Sequence, residues 1–209
     1  MSKPNLILIG AGGHARACID TIEQEGTYEI AGMIGLGNEV GSKLFGYAVI
    51  ARDFDIPELV KHYQFALVTL GQINGAERRI KLYTQVSKAG FTLPTVIAPT
   101  AYVSPHSTIG SGTVIMHGAI VNAGAQVGQN CIINSNSLIE HDVAIKDHCH
   151  ISTGAILNGG TSIGIGSFIG SGAVIKEGIS IGSNTLVGMG LNVRKNVGSN
   201  EKYLGMPTK

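Results

Sequence analysis

Starting at Ile97, every sixth residue is Ile, Val or Leu, and the series runs through Ile115, Ile133, Ile151 and Ile169 to Val193, 17 positions without an insertion. A period of six suits neither an α-helix, which turns every 3.6 residues, nor an amphipathic strand, which alternates every two, so the hexad must be a supersecondary unit. Hexads of this kind stack as a parallel β-helix. Four positions after each aliphatic stands a mostly small residue, among them Thr113, Ala119, Ala125, Cys131, Cys149 and Ala155. If three hexads close one triangular coil, residues 18 apart lie above one another at about 4.8 Å, the spacing of neighbouring strands. Cys131 and Cys149 are 18 apart, which predicts two inward thiols acting as small hydrophobes rather than a redox pair.

Composition narrows the function classes. Charged residues are 14% of the 209-residue chain, against about 25% in an average soluble domain. The net charge is +1 and no run of Lys or Arg stands out, so the footprint of a nucleic-acid binder is missing. No apolar stretch approaches a membrane span and the N-terminus lacks a signal peptide, which predicts a cytoplasmic protein without membrane insertion. Three cysteines form no CxxC pair. No two of His106, His117, His141, His148 and His150 are 18 or 36 apart, so no metal site builds up along a column of the β-helix.

The length suits two domains, read as an α/β domain over 1–95 and a β-helix over 96–209. Residues 5–10 read as a buried strand running into Ala-Gly-Gly-His-Ala and a helix. Further strands are expected near 28–34 and 65–70 and a helix near 76–88, a Rossmann-like alternation around a short parallel sheet. Gly10, Gly12 and Gly13 at the first strand-to-helix turn suit a phosphate, because free N–H groups and the dipole of a helix start attract anions. The dinucleotide fingerprint is incomplete: Ala15 replaces its third glycine, and the second strand ends in Gly35-Leu36-Gly37 without the acid that would hold a ribose. A redox nicotinamide enzyme is therefore disfavoured. Asn38 and Glu39 stand close enough to replace that acid.

Five features occur together: the Gly-Ala-Gly-Gly-His-Ala turn, Gly71-Gln72-Ile73-Asn74 followed by Arg78, the unbroken hexads, Ile139-Glu140-His141-Asp142, and a terminal Gly205-Met206-Pro207. In this combination the chain resembles the NeuD/PglD-like sugar acetyltransferases over nearly its whole length. The resemblance implies a homotrimer with a left-handed β-helix that uses acetyl-CoA. The acceptor would be a nucleotide-linked amino sugar, of the UDP-4-amino-sugar type, or alternatively a sialic acid acetylated on oxygen. It further implies that His141 is the base and Asp142 its orienting carboxylate, and that His150 reaches the thioester of a neighbouring subunit. Gly10, Gly12, Gly13, His14 and Asn74 would lie on the sugar side.

Stacking by 18 adds an independent geometry around His141. The column above it reads Gly159, Glu177 and Lys195, so a side chain is missing directly above the base, the Gly159 N–H faces a developing oxyanion, and Lys195 stands near a CoA phosphate. A second column, Thr153, Ser171 and Met189, would be offered by the adjacent subunit as the other wall of the acetyl-CoA groove. The alternative of another class, a non-catalytic scaffold, explains the repeat but not an acid-flanked histidine beneath a glycine.

Overall fold

The structure, a computed structural model, describes residues 2–205; Met206 and Pro207 of the terminal motif lie outside them. The first part folds as β1 (Asn5–Ile9), α1 (Gly13–Glu25), β2 (Glu29–Gly35), β3 (Lys43–Leu44), β4 (Tyr47–Arg52), α2 (Ile56–Leu59), β5 (Phe65–Val68) and α3 (Glu77–Ala89). Leu6, Ile7, Leu8 and Ile9 are fully buried, as a strand covered on both faces of a parallel sheet requires. The sheet order is β3-β4-β2-β1-β5, parallel except for the β3–β4 hairpin. From β1 the chain lays β2 and β4 on one side and then returns to place β5 on the other. The topological switch point, where ligands of such sheets bind, therefore falls beside the carboxyl end of β1.

The β3–β4 hairpin and α2 are additions to the sequence expectation. The hairpin turn, Phe45-Gly46, has φ of 49° and 92°. Positive φ at both central residues is the geometry that Asn-Gly normally signals, and Phe45 hides that signal.

From Val96 to Val193 the chain is a left-handed parallel β-helix, and each of the 17 aliphatics is the second residue of a two-residue strand. Strands pair in register 18 residues apart, as in Val121↔Ile139 and Ile133↔Ile151. No loop interrupts the coils. The aliphatics and small residues form one core in which Cys131 and Cys149 are fully buried, with Sγ donating to the carbonyls of Lys146 (3.3 Å) and Gly164 (3.0 Å). Every sixth residue from Gly112 to Gly190 has positive φ, and each is Gly or Asn except Asp142 and His148.

The prism has three unlike faces. One, carrying Val96, Val114, Ile132 and His150, lies beneath the α/β domain. A second is polar, with Thr108, Gln126, Ala144, Ser162 and Ser180 outward. The third presents Tyr102, Ile120, Leu138, Ile156 and Val174, of which Tyr102 is 55% and Ile120 39% exposed.

The α/β domain is fastened by the fully buried Arg79, whose guanidinium donates to the carbonyls of Val68 (3.1 Å) and Leu70 (2.6 Å) and to that of Asn130 in the β-helix (3.3 Å). Tyr83 Oη adds bonds to Ser111 and Gln129.

The last coil is shortened. Val197 pairs with Ile181, 16 residues away, and the Asn196 side-chain oxygen accepts the Ser180 N–H at 2.9 Å, in place of the carbonyl that the regular repeat would supply.

Candidate functional site

His141 and Asp142 sit in the corner that follows the apolar face. Asp142 takes the positive-φ turn slot at 58°, a conformation that costs an ordinary L-residue about 1 kcal/mol but that Asp tolerates better than most. From there its Oδ2 accepts a 2.9 Å hydrogen bond from His141 Nδ1. With Nδ1 protonated toward the carboxylate, Nε2 carries the lone pair. This bond, with the charges of Asp142 and Glu140 behind it, raises the imidazole pKa above its ordinary value.

Two glycines make the room. A Cβ on Gly124, one coil before Asp142, would meet Asp142 Oδ1 at 2.5 Å; a Cβ on Gly159, one coil after His141, would meet its Nε2 at 2.6 Å and Cε1 at 2.7 Å. The space left by Gly159 is thus occupied by the imidazole itself, leaning along the column, whereas the stacking argument left it for the thioester. The ring opens onto a groove of about 500 Å³ lined by Glu140, His141, Asn158, Gly159, Glu177 and Gly178. This groove continues into a second hollow of about 390 Å³ that shares Asn158 and Glu177 and ends at Arg194.

Lys195 is displaced from the predicted column. Arg194, 18 residues after Lys176, lines the hollow beside it and Lys195 does not; the corner after Val193, in which Lys195 lies, is two residues shorter than the regular repeat. Thr153, Ser171 and Met189 stand exposed on the corner at the other edge of the apolar face, Met189 with 80% of its surface free. His150 is not at a groove of this chain: it is 6% exposed beneath the α/β domain, with Nδ1 donating to the Gln72 carbonyl (2.6 Å) and Nε2 facing the Asn134 amide (3.2 Å). Burial depresses its pKa to about 4.

A second site lies at the carboxyl edge of the sheet. Gly10, Ala11, Gly12, Ile34, Gly35, Leu36, Glu39, Asp53, Leu70 and Arg78 enclose a cavity of about 120 Å³. Gly10, at φ 119°, packs against Leu70 where a Cβ would clash, and Gly12 starts α1 with open space around it. Glu39 supplies the acid absent from the end of β2: its Oε2 accepts the Leu36 N–H at 2.6 Å, folding the carboxylate back over the strand end. Asn38 does not line the cavity. Gly13 and His14 lie beyond it. His14 turns into the domain interface 6.2 Å from the His150 ring, where burial first and the Arg79 charge second lower its pKa to about 3. Asn74 borders a separate crevice against Gly166 and Asn184. Arg78 and Asp53 are the residues that sequence reasoning undervalued; the signal for Asp53 was its place just past β4, a strand the hydrophobic pattern did not reveal.

Two further histidines of the β-helix are engaged. His117 bridges Thr100 (3.0 Å) and Asp20 (3.1 Å), and His148 lies 2.9 Å from the Asn130 amide and edge-on to Tyr83. Among the described residues no group of three or more His, Cys, Asp and Glu side chains is disposed to hold a metal ion, and no helix is long and apolar enough to cross a membrane.

Residues 5–86 match the family described as PglD N-terminal domain, and residues 160–195 match the hexapeptide repeat of succinyl-transferase. A search of curated protein sequences finds no match. Among solved structures, the chain is similar to perosamine N-acetyltransferase from Caulobacter crescentus in complex with CoA and GDP-perosamine, with 29% identity, a TM-score of 0.91, and 100% of this chain and 97% of that one covered. It is also similar to the acetyltransferase domain of PglB from Neisseria gonorrhoeae. The form with acetyl coenzyme A has 29% identity, 96% coverage of each chain and a TM-score of 0.87; the other solved form has 31%, 93% of each and 0.82.

Proposed function

Because this chain belongs to the PglD/NeuD-like sugar acetyltransferases and takes acetyl-CoA as co-substrate, we propose that it acetylates the amino group of a nucleotide-linked sugar, with His141 as general base. The observation that carries this reading is the His141–Asp142 pair, held at 2.9 Å beside an open groove that the His141 ring lines. The hydrogen bond to Asp142 raises the basicity of the imidazole, which suits it to accept a proton from the acceptor.

The acceptor arrives as an ammonium and gives one proton to solvent. The lone pair so freed attacks the thioester carbonyl carbon while His141 Nε2 takes a second proton from the nitrogen, and collapse of the tetrahedral intermediate breaks the C–S bond and leaves the neutral amide. The departing CoA thiolate takes that second proton from the imidazolium. Asp142 keeps the imidazole in the tautomer that accepts at Nε2 and steadies the cation that forms. No covalent enzyme intermediate is needed, and the cysteines are unsuited to one: burial pushes the Cys18 thiol up to about 12 and raises Cys149 well above its ordinary value.

The lining favours nitrogen over oxygen as acceptor. Glu140, Asp142 and Glu177 put three carboxylates around or beside the base, a field that attracts an ammonium and repels the carboxylate of a sialic acid. In support, the Caulobacter relative is an N-acetyltransferase, and two of its solved forms are H141N and H141A variants. The uridine carrier expected from the resemblance draws no support from those structures, whose bound nucleotide sugar is GDP-perosamine.

The assembly proposed is a trimer joined through the apolar face. That face is flanked on one edge by His141, Gly159 and Glu177 and on the other by Thr153, Ser171 and Met189, so threefold packing sets one edge of each copy against the opposite edge of its neighbour. The acetyl-CoA arm would lie in that seam.

The test is release of free CoA thiol in the presence of UDP-, GDP-, CMP- and dTDP-linked amino sugars. His141→Ala should abolish turnover and keep acetyl-CoA affinity. An acetyl group trapped on the enzyme, found by mass spectrometry, would rule out direct attack.

A further inference from the structure

The sheet order β4-β2-β1-β5 sets the cavity residues in a row along the carboxyl edge: Asp53 just past β4, Leu36 and Glu39 past β2, Gly10 to Gly12 past β1, and Leu70 and Arg78 past β5. A nucleoside diphosphate laid along this edge has one consistent direction. Its pyrophosphate belongs at the start of α1, a 13-residue helix with no acid in its first turn, within reach of Arg78. Its ribose then falls at the end of β2, where an acid grips the sugar hydroxyls in folds of this type. Glu39 fills that role with Oε1, since Oε2 is held by the Leu36 N–H. The base lies one strand further out, at Asp53.

We infer that the base read there is guanine, so that the acceptor's carrier is guanosine diphosphate; the inference rests on the nucleotide-linked acceptor proposed above and deepens it. Asp53 lines the cavity and its carboxylate makes no hydrogen bond among the described residues, while its backbone carbonyl is taken by Gln85 Nε2 at 2.6 Å. An ionised carboxylate only accepts. Uracil and thymine present one ring N–H between two carbonyls, which sets an oxygen against it. Adenine and cytosine present an amino group beside a ring nitrogen lone pair, with the same conflict. Guanine alone offers N1–H and the 2-amino group side by side, two parallel donors for two oxygens. Leu36, 47% exposed, lines the same cavity as Asp53 and supplies apolar surface for the base plane.

Calorimetry on the full-length protein with GDP, UDP, dTDP and xanthosine diphosphate (XDP), with acetyl-CoA as reference, tests this. GDP should bind about tenfold or more tightly than UDP or dTDP, the discrimination of one good bidentate base contact. Asp53→Asn should weaken GDP by a similar factor and strengthen XDP, because an amide accepts from N1–H and donates to the 2-oxo group, and acetyl-CoA affinity should not move. Glu39→Gln should weaken GDP and UDP alike. UDP or dTDP binding as tightly as GDP, or an unchanged base preference in Asp53→Asn, overturns the guanine assignment and leaves the nucleotide-linked acceptor standing. Binding of acetyl-CoA but of no nucleoside diphosphate removes both.

Discussion

Replacing Gly159 by Ala adds one methyl group at the point where the structure has least room for it. The new Cβ would stand 2.6 Å from His141 Nε2 and 2.7 Å from Cε1, against an ordinary carbon contact of about 3.5 Å. The ring must therefore retreat by nearly 1 Å or swing away. Because the His141 side chain is 67% exposed and Gly159 lacks the positive φ that Ala would resist, the ring can yield at little cost to folding. What it loses is position, either the 2.9 Å bond to Asp142 or the alignment of Nε2 with the acceptor. A misplacement of about 1 Å costs on the order of 100-fold in rate, equivalent to about 2.7 kcal/mol of barrier. Steady-state kinetics of Gly159→Ala should show kcat reduced by about that factor, with the thermal midpoint and the acetyl-CoA Kd near wild type. The larger Gly159→Leu should also block acetyl-CoA from the groove while sparing the assembly and nucleotide binding. A Gly159→Ala enzyme with wild-type kcat would show that the imidazole is not used in this position.

Three further outcomes follow from the same geometry. Asp142→Asn removes the interaction that most raises the His141 pKa; since activity requires the neutral base, the acidic limb of the kcat/KM profile should move to lower pH while the plateau falls, and a limb that stays put would contradict the pairing. Ile156→Lys in the apolar face should convert a particle of three times the 21.7 kDa chain mass into monomers by light scattering and abolish turnover with His141 intact; a fully active monomer would refute the shared groove. His14 and His150, held at pKa about 3 and about 4, stay neutral when folded while an unfolded histidine titrates near 6.5. Stability should therefore be full above pH about 6.5 and fall toward pH 4 by up to about 2.7 kcal/mol per unit, about 1.4 for each group. His14→Gln should halve that slope in urea titrations at several pH values.

The β-helix was legible in the sequence because its side-chain pattern and backbone pattern share one period, so each inward aliphatic could be assigned from spacing alone. The approach of Gly159 to His141 was legible for the same reason: stacking by 18 is a geometric rule. The surroundings of Lys195 were not legible because the rule breaks there, since nothing in Val193-Arg194-Lys195-Asn196-Val197 announces a corner two residues short; the aliphatic Val197 fits the small-residue slot of a regular hexad as well as the strand position it takes. The burial of His150 was not legible, because exposure on a β-helix face depends on what another domain lays over it, and no local pattern encodes that Gln72 reaches it. Asp53 and Arg78 come together only through the strand order, which brings segments 25 residues apart to one edge.

A repetitive scaffold offers the same corner at every coil, so a site can arise only where the repeat is locally broken. The turn slot is Gly or Asn at all but two of its positions from 112 to 190, and one exception is Asp142. That acid forgoes the easier left-handed residues, and its side chain and that of His141 each point along the column into space vacated by a glycine, Gly124 on one side and Gly159 on the other. A bare structural role requires none of these departures, since Asn at 142 would keep the turn. Taken together they build one object, an imidazole with a fixed tautomer and an open Nε2. The neighbouring corner shows the contrast. His148 is the other exception in the turn slot, yet its ring is half buried against Tyr83 and Asn130 and its pKa is lowered by burial. The same departure from the repeat there yields a packed histidine, so what sets position 141 apart, and supports the base proposed there, is the pair of glycines and the adjoining carboxylate.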